Sequence, residues 1–212
     1  MNTPDAMLFI STHCPHCPSV LAGLAELLKR GVIGRLEVVN LELRPEIARE
    51  MGVRAVPWLR LGLFELTGAR TVGELETWAR RTQSDEGMSE AFHDLLKQGG
   101  LAQVLRLIQA EPTRLAALLP IVANPEASLN VKLGVGVVFE EFAGSDALSS
   151  RAAALGALTR HSDARVRADA CHLLSLTRGD EARAWLEACL RDSDPEVREI
   201  AAESLQTLGA QA

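Results

Sequence analysis

A pair of cysteines near the start of the chain lies where a strand pattern gives way to a helix pattern. The motif Cys14-Pro15-His16-Cys17 directly follows an apolar run at 7–10. Apolar residues then recur at helical spacing, at Val20, Leu21, Leu24, Leu27 and Leu28. A helix start concentrates free backbone N–H groups and the positive end of the helix dipole, and both favour the thiolate form of a nearby cysteine. The pattern therefore predicts a strand, a turn and a helix that together carry out thiol–disulfide exchange.

A second motif lies further along the chain, at 52–58. Its Pro57 begins an apolar run at 57–61, and the first residue of a strand tolerates the missing N–H of proline. Together the two motifs resemble the thioredoxin superfamily, in which a Cys-x-x-Cys turn faces a Val-Pro or Ile-Pro bond held cis. The likeness is to the short, glutaredoxin-like members, which often carry Cys-Pro-His-Cys followed by another proline, as Pro18 is here. It covers residues 5–83.

This resemblance implies a disulfide oxidoreductase with a defined set of site residues. The catalytic set that it implies is Cys14, Pro15, His16, Cys17 and Pro57. The substrate-binding set that it implies is His13, Val56 and Trp58. It further implies a cis Val56–Pro57 bond beside the Cys14 sulfur. Two interpretations of Trp58 stay open, since the indole either packs in the core or faces the substrate.

The two cysteines have different expected roles. Cys14 is predicted to attack, because the helix start and His16 both favour its charged form. Cys17, further into the helix and more covered, is predicted to resolve the mixed disulfide. One alternative is a zinc half-site, disfavoured because adjacent residues at one turn rarely point at a common centre and no second Cys/His pair follows. The other is an inert remnant of the fold. Neither a metal nor a cofactor is expected.

The first part of the chain shows a mixed pattern of strands and helices. The predicted strands are 7–11, 36–41, 58–61 and 64–67, and the predicted helices are 15–30, 45–51 and one from Val72. Thr71 and Glu74 form a capping-box signature for that last helix, with Leu75 and Trp78 facing inward. The polar segment 82–87 is the expected linker.

After the linker, helical spacing continues to the end of the chain and a short segment repeats. Ser-Asp-Ala-Arg-Val-Arg at 162–167 matches Ser-Asp-Pro-Glu-Val-Arg at 193–198, and a weaker copy lies at 124–127. Asp or Asn suits a helix N-cap, and proline suits the position that follows. A helix pair cannot bury its apolar face alone, so neighbouring pairs stack. The pattern resembles the HEAT-like repeats of the phycobilin-lyase type. We therefore expect an α/β thioredoxin-like domain at 1–83 and an all-α HEAT-like domain at 84–212.

Two further cysteines lie in the helical region. Cys171 occupies the position at which the next repeat has Ala202, and Cys189 lies within an apolar pattern. Both are predicted to be small buried residues without a chemical role.

The charge of the chain is divided unequally. Residues 1–83 hold 10 Lys+Arg and 9 Asp+Glu, whereas residues 84–212 hold 12 and 19. An acidic second half argues against nucleic acid or an anionic membrane as a partner and favours a protein. No signal-peptide pattern is found at the N-terminus, and the longest apolar stretch, 115–123, is too short for a bilayer. A cytoplasmic location is therefore expected.

The combined prediction is a thiol–disulfide oxidoreductase that acts on a protein client through Cys14 and Cys17. The client carries a thiol or a disulfide, and the redox donor is not specified by the sequence. The HEAT-like domain would raise the local concentration of the client near Cys14. The alternative is an interaction scaffold or a redox sensor in which the thioredoxin-like domain only docks a partner.

Overall fold

The protein folds as two compact units, seen here in a computed structural model that describes residues 3–177 and 179–210. The units are Met1–Ala91 and Phe92–Ala212. Each has its own buried residues, and the helix Asp85–Lys97 contributes residues to both. The domain limits 1–83 and 84–212 stay predictions.

The first unit is a mixed four-stranded sheet with helices. Its elements are β1 (Ala6–Ile10), α1 (Cys17–Lys29), β2 (Leu36–Asn40), α2 (Pro45–Glu50), β3 (Trp58–Leu61), β4 (Phe64–Thr67) and α3 (Val72–Arg81). The strand order is β2-β1-β3-β4, and β1 pairs parallel with β2 but antiparallel with β3. The predicted order of elements is confirmed, and β3 and β4 have the predicted limits.

The start of α1 differs from the prediction. The helix begins at Cys17 and not at Pro15, and His16 is its N-cap. Residues 15 and 16 form a turn ahead of the helix, and the disulfide joins Cys14, before that turn, to Cys17. Both cysteines therefore lie at the helix start, but only Cys17 is within it.

The capping box predicted for α3 is confirmed. The Thr71 hydroxyl accepts from the Glu74 N–H, and the Glu74 carboxylate accepts from the Thr71 N–H at 2.7 Å. Leu75 and Trp78 are buried, as expected for the inward face of this helix. The box satisfies donors that the first helical turn leaves free.

The remaining elements are all helical. They are α4 (Asp85–Lys97), α5 (Leu101–Ala110), a 3-10 segment (Pro112–Leu118), α6 (Leu119–Val122), α7 (Leu129–Glu141), α8 (Asp146–Ser149), α9 (Ala152–Leu158), α10 (Ala164–Ser175), α11 (Asp180–Cys189) and α12 (Pro195–Ala210). Because α4 begins at Asp85, the predicted linker 82–87 is shortened to the turn at 82–84. Acidic residues in the first turn favour this early helix start through the helix dipole.

The repeated segment forms the same local structure twice. The Arg165 N–H donates to the Asp163 carboxylate, and the Glu196 N–H donates to that of Asp194, both at 2.9 Å. In the weaker copy the Glu126 N–H donates to Asn124 in the same way, at 3.0 Å. That segment is nevertheless a turn, because α7 begins only at Leu129. The cap bond alone does not start a helix there.

An arginine links the two full copies. Arg167 donates to the His161 and Ser162 carbonyls of the loop before its own helix. It also forms two hydrogen bonds of 2.8 Å with the Asp192 carboxylate in the loop before α12. This pairing raises the pKa of Arg167 and lowers that of Asp192. A single side chain therefore ties α10 to the loop of the following repeat.

Candidate active site

The candidate site lies in the turn between β1 and α1. Cys14 and Cys17 are joined by a disulfide, with their Cα atoms 5.5 Å apart. The Cys17 N–H donates to the Cys14 sulfur at 3.1 Å. A donor aimed at Cys14 favours negative charge on that sulfur in the reduced protein.

The motif residues differ in their exposure. Cys14 is half-buried, whereas Cys17 is only 3% exposed. Pro15 and His16, which lie between them, are exposed, and so is His13. An external reactant therefore reaches the Cys14 sulfur more readily than the Cys17 sulfur.

A carboxylate that sequence reasoning missed holds the loop ahead of the motif. The Thr12 N–H donates to Glu42 at 3.1 Å, and the Thr12 hydroxyl donates to the other carboxylate oxygen. The Thr12 hydroxyl is the main cause that holds the pKa of Glu42 below its ordinary value, and the charge of His13 adds to the effect. Glu42 is thus the anchor of the segment that leads into Cys14.

The strand register accounts for the position of Glu42. Ile10 pairs with Asn40 at the end of the parallel β1–β2 ladder, so Thr12 and Glu42 lie two residues beyond the same rung. Parallel strands end at the same edge of a sheet, which brings the residues that follow them together. The sequence did contain one signal, since Glu42 directly follows the predicted strand 36–41. To pair Glu42 with Thr12, however, one also needs the register of the two strands, which only the structure gives.

The second motif lies at the start of β3. The Val56–Pro57 bond is cis, as the resemblance implied. Trp58 pairs with Phe9 across the β1–β3 ladder, which places Pro57 near the end of β1, where the chain leaves for the cysteine motif. The proximity of Pro57 to the Cys14 sulfur stays a prediction.

Trp58 packs in the core, which favours the first of its two interpretations. Its side chain is 5% exposed and meets Phe9 edge to face, with ring centroids 5.3 Å apart. Val56 is half-buried and packs against the cluster of Phe9, Val39 and Trp58. Hence Val56 is the more accessible of these two residues, and their roles in substrate binding stay predictions.

Cys171 and Cys189 are buried and free, as expected of small core residues. The structure adds that each thiol perturbs the other. Hydrogen bonding with Cys189, together with burial, raises the pKa of Cys171. Hydrogen bonding with Cys171 lowers the pKa of Cys189, with a smaller contribution from Thr159. The sequence did not predict that these two buried thiols, on α10 and α11, influence each other.

Two other classes of site are absent from the described residues, 3–177 and 179–210. Within them, no group of three or more His, Cys, Asp and Glu side chains is arranged to hold a metal ion. Nor is any helix in this part of the chain both long and apolar enough to cross a membrane.

Comparison with known families identifies part of the chain. Residues 147–212 match the family model of HEAT repeats. This match contains both full copies of the repeated segment and confirms HEAT repeats in the C-terminal region. Proteins with such repeats generally use them for protein–protein contacts. A comparison with curated proteins finds no match to the chain.

Proposed function

We propose that the protein is a thiol–disulfide oxidoreductase in which a thioredoxin-like unit carries the chemistry and HEAT repeats bind a protein client. The observation that carries the proposal is the disulfide between a half-buried Cys14 and a buried Cys17 at the start of α1. A more accessible first cysteine and a covered second cysteine are the arrangement that attack and resolution require.

The surroundings of the disulfide support the thioredoxin-like assignment. The sheet order β2-β1-β3-β4, with β1 parallel to β2, places the cysteine motif after an inner strand. The cis Val56–Pro57 bond begins the neighbouring strand β3. Both features agree with the resemblance drawn from the two sequence motifs.

The proposed reaction exchanges one disulfide for another. In the reduced protein, the Cys14 thiolate attacks a client disulfide, forms a mixed disulfide and releases one client sulfur as a thiolate. Cys17, after losing its proton to water, attacks the Cys14 sulfur and releases the second client sulfur. Two electrons pass to the client, and Cys14 and Cys17 end as the disulfide seen here. A dithiol client drives the same steps in reverse.

The HEAT repeats supply recognition in this proposal. A second binding module raises the effective concentration of its ligand near the first without new contacts at the reactive sulfur. The region 84–212 carries 12 Lys+Arg and 19 Asp+Glu, so its charge favours a client with basic segments.

The test is the reaction of the full chain, reduced and freed of reductant, with a small aromatic disulfide. Wild type should release two aromatic thiols per Cys14–Cys17 pair, because Cys17 resolves the first adduct. Cys17→Ala should release one and keep the other as a stable adduct on Cys14. Cys14→Ala should react far more slowly, since only covered thiols remain.

Cys171→Ala is the matched control, because it removes a cysteine outside the motif and should react like wild type. If wild type and Cys14→Ala react equally slowly in the folded state, the oxidoreductase proposal is wrong. The scaffold alternative then takes its place.

A further inference from the structure

Helix α7, in the second unit, has an apolar outer face that is exposed. Its inner face is buried through Val131, Val135, Val138 and Phe139. On the outer face, Leu129 is 70% exposed, Leu133 60% and Val137 43%. These three follow each other at a spacing of four residues and so form one stripe along the helix. A helix that is apolar on both faces is normally covered on both.

The stripe lines a groove of about 550 Å³. Helix α7 contributes Leu133 and Val137 to its lining, and α10 contributes His172 and Leu173. The Lys132 ammonium bonds the Asp169 carboxylate at 3.0 Å and ties α7 to α10 at this groove. Gly136, also in the lining, has no atom within 4 Å of the position that a Cβ would take. The Lys132–Asp169 bond therefore holds α7 and α10 together at the groove, and the space beside Gly136 can admit a side chain of another molecule.

A carboxylate continues the apolar stripe. Glu140 lies eleven residues after Leu129, which is close to three full turns, and it also lines the groove. It is exposed, and within the part of the chain that the structure describes it forms no ion pair. Glu140 and Glu141 end α7, where the helix dipole is already negative and carboxylates are unfavourable. A bound cationic group would relieve this local excess of negative charge.

We propose that this groove binds an amphipathic helix of a partner protein that has an apolar stripe and a Lys or Arg at one end. Its apolar side chains cover Leu129, Leu133 and Val137, and its basic residue meets Glu140. The stripe from residue 129 to 140 spans about 17 Å at 1.5 Å per residue, which fits roughly three turns of a partner helix. The proposal concerns the helical unit alone and does not depend on the chemistry of Cys14 and Cys17.

The experiment uses the full chain and a displayed library of helical peptides of about 16 residues, long enough to cover the stripe. Peptides selected on wild type should share apolar residues at a spacing of three to four and carry Lys or Arg near one end. Binding of the selected peptides is then measured by fluorescence anisotropy. Leu133→Asp should weaken it about tenfold or more, because it places a charge against apolar side chains.

Two variants separate the apolar and ionic parts of the groove. Val137→Lys should also weaken binding, which guards against a folding defect specific to Leu133→Asp. Glu140→Lys should weaken binding of basic peptides and remove part of its dependence on salt. Leu190→Asp is the matched control, since Leu190 is a 42% exposed leucine outside the groove lining. It should bind like wild type.

Several results would overturn the proposal. The selected peptides would then lack the apolar stripe or carry acidic ends, or Leu133→Asp and Leu190→Asp would weaken their binding equally. A further contrary result is a selection on wild type that enriches peptides no more than a selection on the Leu133→Asp variant does. Sedimentation that shows a wild-type dimer abolished by Leu133→Asp would also overturn it and assign the groove to a second copy of the chain.

Discussion

Thr12 donates two hydrogen bonds to the Glu42 carboxylate, one from its N–H and one from its hydroxyl. Glu42 follows β2, and Thr12 follows the parallel strand β1, two residues before Cys14. The approach to the cysteine motif is thus tied to the segment that follows the neighbouring strand β2.

Glu42→Ala should release this approach. In wild type, the pKa of the Glu42 carboxylate is lowered in the folded protein. The stabilisation from its hydrogen bonds with Thr12 is therefore complete above the ordinary pKa of 4.5 and is lost as the pH falls below that value. In wild type at neutral pH the Thr12 amide should be protected from hydrogen exchange, and in Glu42→Ala it should not. Nuclear magnetic resonance detects this amide directly. Glu26→Ala, which removes an exposed carboxylate of α1, should leave the protection unchanged.

His16→Ser should reduce the share of Cys14 that is thiolate at neutral pH and make the reduction potential of the pair more negative. A charge interaction of about 1 kcal/mol corresponds to roughly 20 mV for this two-electron couple. The potential is measured by titration against glutathione. His13→Ser removes a second exposed histidine, outside the motif, and is expected to shift the potential less. Equal shifts would assign the effect to general charge near the loop.

Arg167→Ala should destabilise the HEAT-repeat region by about 2–4 kcal/mol, because it leaves a mostly covered Asp192 carboxylate without its cationic partner. Urea unfolding of the full chain measures the loss. The pKa of Asp192 is lowered by this pairing, so the contribution is present at neutral pH and fades as the pH falls below the ordinary range of aspartate. Arg165→Ala, which removes an exposed arginine paired with Asp163, should cost less. Equal losses for the two variants would contradict the role of Arg167.

Gly156→Ala should destabilise the same region by about 1–3 kcal/mol. A Cβ at this position would overlap the indole ring of Trp185, a rigid side chain that Arg160 also contacts at 4.9 Å from the ring centre. Thermal unfolding is the measurement. Gly136→Ala is the control, because its Cβ meets no atom and alanine favours helix, so stability should stay the same or rise. A wild-type melting temperature for Gly156→Ala would show that Trp185 moves freely.

Local features were predictable from the sequence alone because each depends on neighbours in the chain. The limits of β3 and β4, the Thr71–Glu74 capping box and the caps of Asp163 and Asp194 all follow from alternation, spacing and side-chain hydrogen bonding within a few residues. The cysteine pair is of the same kind, since the disulfide joins residues three apart.

Only the tertiary structure decided what depends on the pairing of distant segments. The partner of Thr12 is set by the offset of two parallel strands, and the burial of Trp58 by its place opposite Phe9. The bond between Arg167 and Asp192 requires two repeats to stack before either residue meets the other. In α7, Val131 and Val135 are buried whereas Leu129 and Leu133 are exposed, although all four side chains are apolar. Whether a residue is exposed depends on which other segments pack against it. The spacing of apolar residues along one helix does not carry that information.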